Sequence, residues 1–119
     1  MTNVFPEIGN VLYPLAQPGT VQVSFSTRIG AVQRAVCVAF GIDMSDLLSD
    51  RRARVYARPR QAAYLLCKRH TMASLPTIGK HFSDRDHTTV MYGIGRAEEL
   101  IKSDKNFAEM TKNAERMIS

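Results

Sequence analysis

From Ser26 onward, apolar residues recur at three- and four-residue spacing, which is the pattern of helices that bury one face. The predicted inward-facing positions, segment by segment, are Ile29, Val32, Val36 and Phe40; Ala62, Leu65 and Leu66; Leu75, Ile78 and Phe82; Val90, Ile94, Ala97 and Ile101; and Phe107, Met110, Ala114 and Met117. The sequence therefore predicts an all-α fold, with one compact helical domain over residues 26–119.

Local signals indicate where the first helices begin and end. Ser26 or Thr27 is a plausible N-cap for the first helix, and Gly41 is suited to end it. Residues 43–48 predict a short helix, which an arginine-rich loop follows. Pro59 suits the first turn of the next helix, because its missing N–H costs nothing there.

A helix-turn-helix is predicted in the second half of the chain. Ser74 can cap a short helix at about residues 75–82, and Ser83-Asp84 forms a polar break after it. A longer helix follows at about residues 86–102 with polar residues at its start. Two helices joined by such a short turn are typical of domains that place the second helix in the DNA major groove.

Residues 1–25 differ from the rest of the chain. They hold three of the five prolines and a short alternation over residues 20–25, which predicts a flexible or partly extended, non-helical arm. Its apolar side chains could pack on the chain's own domain or on a partner protein.

The distribution of charge is more informative than the total. Sixteen Lys and Arg against eleven Asp and Glu give +5, which fits nucleic acid, an anionic membrane or simple solubility. Residues 51–83, however, hold eight of the sixteen basic side chains and no acidic one. A run of this kind is often a solvated loop, and it predicts DNA contact only together with the adjacent helix-turn-helix.

Several function classes are not expected. Cys37 and Cys67 lie in apolar helical patterns and are interpreted as small core residues. No apolar run is long enough to span a bilayer, the start lacks a secretory signal, and no phosphate-binding loop occurs. Cys67 and His70 lack a second pair of metal ligands, and an Asp-His pair without a nucleophile is not a catalytic set. We predict a cytoplasmic, nucleoid-associated protein that has no metal, cofactor or enzymatic activity and does not bind a membrane.

The run Arg85-Asp86-His87-Thr88-Thr89-Val90 carries the most chemistry. It places an acceptor, an imidazole and two methyl-bearing hydroxyls at the start of the predicted long helix, where they can reach base edges. Asp86 could accept from a cytosine or adenine amino group, and the methyl of Thr88 could pack on thymine. The simpler alternatives are that Asp86 only complements the helix dipole and that the threonines are surface residues.

Residues 28–118 resemble the C-terminal DNA-binding domain of DnaA, the bacterial chromosomal replication initiator. The resemblance rests on five stretches in the family's order and spacing, namely Asp46-Leu47-Leu48-Ser49, Arg51-Arg52-Ala53-Arg54, Ala57-Arg58-Pro59-Arg60-Gln61, Ser74-Leu75-Pro76-x-Ile78-Gly79 and Arg85-Asp86-His87-Thr88-Thr89-Val90. It implies a helix-turn-helix fold like that of DnaA domain IV and of the Trp repressor. It also implies that this domain binds a nine-base-pair DnaA box in duplex DNA.

The resemblance also implies a division of roles. Arg52 would enter the minor groove, where a flat cation suits an A·T-rich stretch, while Asp86, His87 and Thr88 would meet bases in the major groove. The residues implied as DNA backbone contacts, which set register without reading sequence, are Arg54, Arg60, Gln61, Lys68, Ser74, Leu75, Pro76 and Thr89.

Three departures from the family bear on these expectations. Ser83-Asp84 occupies a turn where the family usually has a glycine. Gly93 and Gly95 weaken the predicted long helix by about 1 kcal/mol each relative to alanine, and they either permit close packing or loosen its distal half. The family's ATPase domain does not precede the module in this sequence, so we expect no ATP-dependent filament.

Two functional hypotheses follow. In the first, the chain is a small regulator that binds DnaA-box-like duplex DNA and competes with, or assists, the full initiator. In the second, it acts mainly by protein contact, its arm engaging the full-length initiator or a replication regulator, with DNA binding weak or secondary.

Overall fold

The computed structural model describes residues 25–118, which form six helices and, within that range, no strand. The helices are α1 (Phe25–Phe40), α2 (Met44–Leu47), α3 (Arg54–His70), α4 (Leu75–Lys80), α5 (His87–Ser103) and α6 (Lys105–Ile118). The all-α prediction is confirmed. The predicted arm lies outside the described residues, apart from Phe25 at its end. None of the six helices has the length and apolarity needed to cross a bilayer.

The end of α1 was predicted correctly, but its start was not. Gly41 has a φ of 67°, and the Ile42 N–H donates to the Cys37 carbonyl at 3.1 Å. This is the Schellman motif, in which glycine adopts the left-handed backbone conformation without strain. The helix begins at Phe25 and therefore includes Ser26 and Thr27, so neither of these is the residue that precedes it.

The start of α3 also differs from the prediction. Pro59 is the sixth residue of α3 and not part of its first turn. The helix forms one turn earlier because the Ala53 carbonyl accepts from the N–H groups of Tyr56 and Ala57, at 2.9 and 2.8 Å. Arg54 therefore lies on the helix, and the arginine-rich loop is shorter than the sequence indicated.

Helix α3 is the centre of the core and packs against α1, α5 and both short helices. Its six consecutive residues 62–67 are buried, and Ile29, Val32 and Val36 of α1 pack with them. Most predicted inward-facing positions are confirmed, although Phe40, Leu75, Ile101 and Met110 are only half-buried.

One predicted core position in α6 is wrong. Met117 has 51% of its surface exposed, whereas Thr111 is buried and Ile118 is half-buried. The inward-facing side of α6 runs through Phe107, Thr111, Ala114 and Ile118. The prediction placed Met110 and Met117 at the second and fourth of these positions. Phe107 anchors this side of α6 against Phe40 of α1, with ring centroids 5.8 Å apart.

A close approach joins α5 to α3. A Cβ atom on Gly93 would lie 2.6 Å from Cδ2 of the Tyr64 ring, so only glycine fits at this position. The same ring meets Phe82 edge-on, with centroids 4.9 Å apart. Gly95, by contrast, faces open space. Of the two roles predicted for these glycines, close packing is therefore the role of Gly93.

The two glycines provide a matched test of this packing. We expect Gly93→Ala to lower the free energy of unfolding, because overpacking costs about 1–3 kcal/mol and exceeds the helix-propensity gain of about 1 kcal/mol. Gly95→Ala gains the same propensity without a clash and should raise stability by up to about 1 kcal/mol. Urea denaturation of both variants measures the difference. Equal stabilisation by both substitutions would contradict the packing described above.

Thiol reactivity tests the burial of the core. Both cysteines are free, and burial raises the pKa of the Cys67 thiol to about 12, whereas Cys37 is half-buried. Because the thiolate is the reactive form, Cys67 should resist a disulfide reagent at pH 8 in the native protein and react fully in denaturant. Counting modified thiols at each cysteine by mass spectrometry measures this; rapid native labelling of Cys67 is the contrary outcome.

Candidate nucleic-acid interface

Helices α4 and α5 form the helix-turn-helix. Ser74 precedes α4, and its hydroxyl accepts from the Thr77 N–H at 3.3 Å, as a capping residue should. The turn closes where the Arg85 N–H donates to the Gly79 carbonyl at 2.8 Å. A Cβ on Gly79 would lie 2.1 Å from the Arg85 carbonyl oxygen, so glycine is required there. The two predicted helices are confirmed within one or two residues.

The turn itself contains two residues with left-handed backbone. Ser83 has a φ of 63° and Asp84 a φ of 55°, a region that residues other than Gly, Asn and Asp rarely adopt. Glycine would adopt both conformations without strain. The Ser83 hydroxyl donates to the Leu48 carbonyl at 2.7 Å, a contact that glycine could not make.

Asp86 is the residue that caps α5. Its carboxylate accepts from the Thr88 N–H at 3.2 Å and from the Thr88 hydroxyl, and its other oxygen lies 3.6 Å from Nδ1 of His87. The hydrogen bond from the Thr88 hydroxyl, reinforced by the Thr88 N–H, holds the pKa of the Asp86 carboxyl below its ordinary value. At neutral pH this group is therefore an anion that can only accept hydrogen bonds.

The first turn of α5 is open to solvent. Asp86, His87, Thr88 and Thr89 are all exposed, and Val90 is the first buried residue of the helix. Val90 fixes the helix on the core, which directs the polar residues before it outward. The structure thus brings the three predicted major-groove residues together at one exposed helix start.

The basic loop, residues 48–53, connects α2 to α3 and is held by a buried guanidinium. Arg60 is only 6% exposed, and it donates to the carbonyls of Leu47 at 3.0 Å, Arg51 at 3.1 Å and Asp46 at 3.4 Å. Arg60 was expected to contact DNA backbone. The contacts that the structure shows for it are to the end of α2 and to the Arg51 carbonyl of the loop, so they hold the loop between α2 and α3.

The adjacent arginines Arg51 and Arg52 differ in their surroundings. Arg51 donates to the Tyr56 hydroxyl at 2.9 Å and lies over the Tyr56 ring, 5.1 Å from its centroid. Arg52 is exposed and makes no hydrogen bond or ion pair to any residue that the structure describes. Of the two loop cations, Arg52 is therefore the one without a partner among the described residues, and its entry into the minor groove stays a prediction.

The remaining cations of this region fall into two groups, those with an ion-pair partner and those without one. Arg58 pairs with Asp104 at 2.6 Å and so holds α3 against the junction of α5 with α6. Arg69 pairs with Glu115 at 3.5 Å and so holds α3 against α6. Arg54 and Lys68 are exposed, and neither has an ion-pair partner within residues 25–118. These two remain the expected cations for DNA backbone.

The other expected backbone contacts lie at the start of α4 and on α3. Leu75 and Pro76 open α4 after Ser74, and the first N–H groups of a helix have no partner within it. Gln61 is half-buried, and its Oε1 atom is covered without a hydrogen-bond partner among the described residues. Its Nε2 group would have to provide any contact to phosphate.

Sequence reasoning did not identify Ser83 and Arg85 as residues that act on the basic loop. The Arg85 guanidinium donates to the Phe82 carbonyl at 3.2 Å and to the Ser49 carbonyl. No sequence signal marks these contacts, because they join residues 35 and 36 positions apart through backbone oxygens. Across residues 25–118, no three His, Cys, Asp or Glu side chains are grouped to hold a metal ion.

Comparisons with known proteins agree with this geometry. Residues 29–96 match the family model described as the bacterial DnaA protein helix-turn-helix. The chain is 53% identical over 78 residues to the chromosomal replication initiator protein DnaA of Ruegeria sp. (strain TM1040), which covers 66% of this chain and 17% of that protein. It is 47% identical over 90 residues to the DnaA of Gluconobacter oxydans, covering 76% of this chain and 19% of the relative.

A solved structure supports the same relationship. A crystal structure described as that of a DNA replication initiation factor is 28% identical, with a TM-score of 0.66, over 80% of this chain and 30% of that one. The chain thus spans less than a fifth of the length of these two curated relatives.

The contrast between Arg60 and Arg54 tests whether Arg60 holds the basic loop. Arg60→Ala leaves the carbonyls of Asp46, Leu47 and Arg51 without their charged donor and should lower the free energy of unfolding by about 2–3 kcal/mol. Arg54→Ala removes an exposed cation without a partner and should change it by less than about 0.5 kcal/mol. Chemical denaturation of both variants decides the matter; equal stability would mean that Arg60 does not hold the loop.

Proposed function

Because the chain belongs to the bacterial DnaA helix-turn-helix family of DNA-binding domains, we propose that it binds duplex DNA specifically at DnaA-box-like sites. In this proposal it regulates replication initiation or transcription by occupying such sites. It does so by binding alone, with no ATPase chemistry of its own.

The observation that carries the proposal is the state of the groups expected to read bases. Arg52 is exposed and unpaired in the described structure, while most neighbouring arginines have protein partners. Asp86, His87 and Thr88 are likewise exposed, on a helix start that Val90 anchors to the core. Exposed polar groups on a rigid support are what base recognition in two grooves requires.

The proposed chemistry follows from these positions. Arg52 enters an A·T-rich minor groove, drawn by its enhanced negative potential. In the major groove the Asp86 carboxylate accepts from a cytosine or adenine amino group, and the Thr88 methyl packs on thymine. Arg54, Lys68, Thr89 and the helix start at Leu75 contact phosphates. Gln61 and Arg60 flank that surface, Arg60 mainly by holding the loop.

A full-length initiator with the same site preference is a natural competitor. Two proteins that recognise one site exclude each other according to their concentrations and affinities. Removing residues 1–24 separates this mode from a partner-based one. DNA binding that is unchanged, together with a lost effect on replication in cells, would identify a protein contact through those residues.

Binding to labelled duplexes at two salt concentrations tests the function. We expect tighter binding to a DnaA box than to a scrambled duplex, and a slope of log affinity against log salt of roughly −4.5 if about five phosphates are neutralised. Arg52→Ala should weaken box binding, and Thr88→Ala should reduce the preference for the box by about 1–3 kcal/mol.

Lys112→Ala serves as the control for charge. Lys112 is an exposed cation of α6, outside the elements assigned to DNA. It should change binding to both duplexes little and equally. Equal affinity of the wild-type protein for box and scrambled DNA would overturn the sequence-specific function and leave only a general basic domain.

A further inference from the structure

The two elements expected to read DNA are joined directly by hydrogen bonds. The Ser83 hydroxyl donates to the Leu48 carbonyl at 2.7 Å, and the Arg85 guanidinium donates to the Ser49 carbonyl. We call this pair of contacts the loop clamp. It ties the turn of the helix-turn-helix to the basic loop across a sequence separation of 35 and 36 residues.

The clamp acts close to both base-reading ends. Ser49 precedes Arg52 by three residues, and Arg85 precedes the first residue of α5 by two. From the opposite side, Arg60 of α3 holds the Arg51 carbonyl, next to Arg52 itself. Little chain is therefore left free between the anchored carbonyls and the side chain that would enter the minor groove.

We propose that Ser83 and Arg85 are positioning residues that set the spacing between Arg52 and the start of α5, and so contribute to DNA sequence specificity without touching a base. This inference rests on the proposed function. A protein that reads adjacent minor and major grooves must match their fixed separation on B-form DNA. A loop ordered before binding also avoids the entropy cost of ordering it in the complex.

Ser83 allows a test that keeps the charge of the DNA-binding surface unchanged. Ser83→Gly removes the hydroxyl, and glycine adopts a φ of 63° without strain, so the fold should be no less stable. Arg85 is less suitable, because its replacement also removes a cation near DNA. Asp84→Gly is the control for backbone strain, since it relieves the same strain one residue later but removes no bond to the loop. Because it also removes a negative charge, it is compared with wild type by its preference for the box and not by its absolute affinity.

The first measurement uses DNA with an altered minor groove. Replacing adenines in the A·T-rich end of the box by 2,6-diaminopurine adds an amino group to the minor groove and keeps the major-groove edge of adenine. Wild type should bind the unmodified box tightly and the modified box several-fold more weakly. Ser83→Gly should bind the unmodified box about threefold to tenfold more weakly than wild type. Diaminopurine should also lower the affinity of Ser83→Gly by a smaller factor than it lowers that of wild type.

Combination with Arg52→Ala tests the route of the effect. If the clamp acts by placing Arg52, Ser83→Gly should cost little further affinity in the Arg52→Ala background. Additive losses would mean that Ser83 acts elsewhere. Asp84→Gly should keep the box preference and the diaminopurine effect of wild type.

The second measurement needs no DNA. Amide hydrogen exchange of residues 50–53 should be faster in Ser83→Gly than in wild type or Asp84→Gly, with exchange in the helices unchanged. Unchanged loop exchange together with unchanged box affinity would overturn the clamp and leave the proposed function intact. A wild-type protein that shows no box preference would overturn the proposed function instead, while the exchange experiment would still decide whether the clamp holds the loop.

Discussion

The contact between the Tyr64 ring and the backbone of Gly93 is the constraint on which the rest of the arrangement depends. It brings α5 against α3 more closely than any side chain would permit, and the same ring also contacts Phe82, which lies in the turn after α4. One buried ring therefore fixes α5 and the turn before it relative to α3. Because α3 also carries Arg60, the same helix positions the basic loop.

The helices could largely be predicted from the sequence, because apolar periodicity is a local signal that survives in the fold. The misplacements have specific causes. Pro59 lies in the sixth position of α3, since the Ala53 carbonyl organises an earlier turn that no pattern of apolar residues marks. Ile118, and not Met117, packs against the core, because the apolar face of α6 follows the surface of α1. The sequence of α6 alone does not specify that surface.

The charge pattern of the sequence predicts a set of candidate site residues but does not show which of them have partners within the protein. Arg51, Arg52 and Arg60 are chemically alike, and a basic run gives no indication of which guanidinium is free. In the structure, Tyr56 holds Arg51 and three carbonyls hold Arg60, while Arg52 has no described partner. Such pairings depend on tertiary contacts. The cap at Ser74 was easier to predict, because a capping side chain bonds to a backbone N–H only a few residues away.

The residues in the turn support the view that the loop clamp has a role beyond stability. A left-handed conformation at a residue such as Ser83 costs about 1–2 kcal/mol relative to glycine. A neutral hydrogen bond such as the one to Leu48 returns about 0.5–1.5 kcal/mol, so the two contributions nearly cancel. The described structure offers no corresponding contact that explains Asp84. For Ser83, the net effect on folding is small, whereas its effect on the position of the loop is direct. A serine at this point is therefore better explained by the geometry that it gives to Arg52 and α5 than by the stability of the domain.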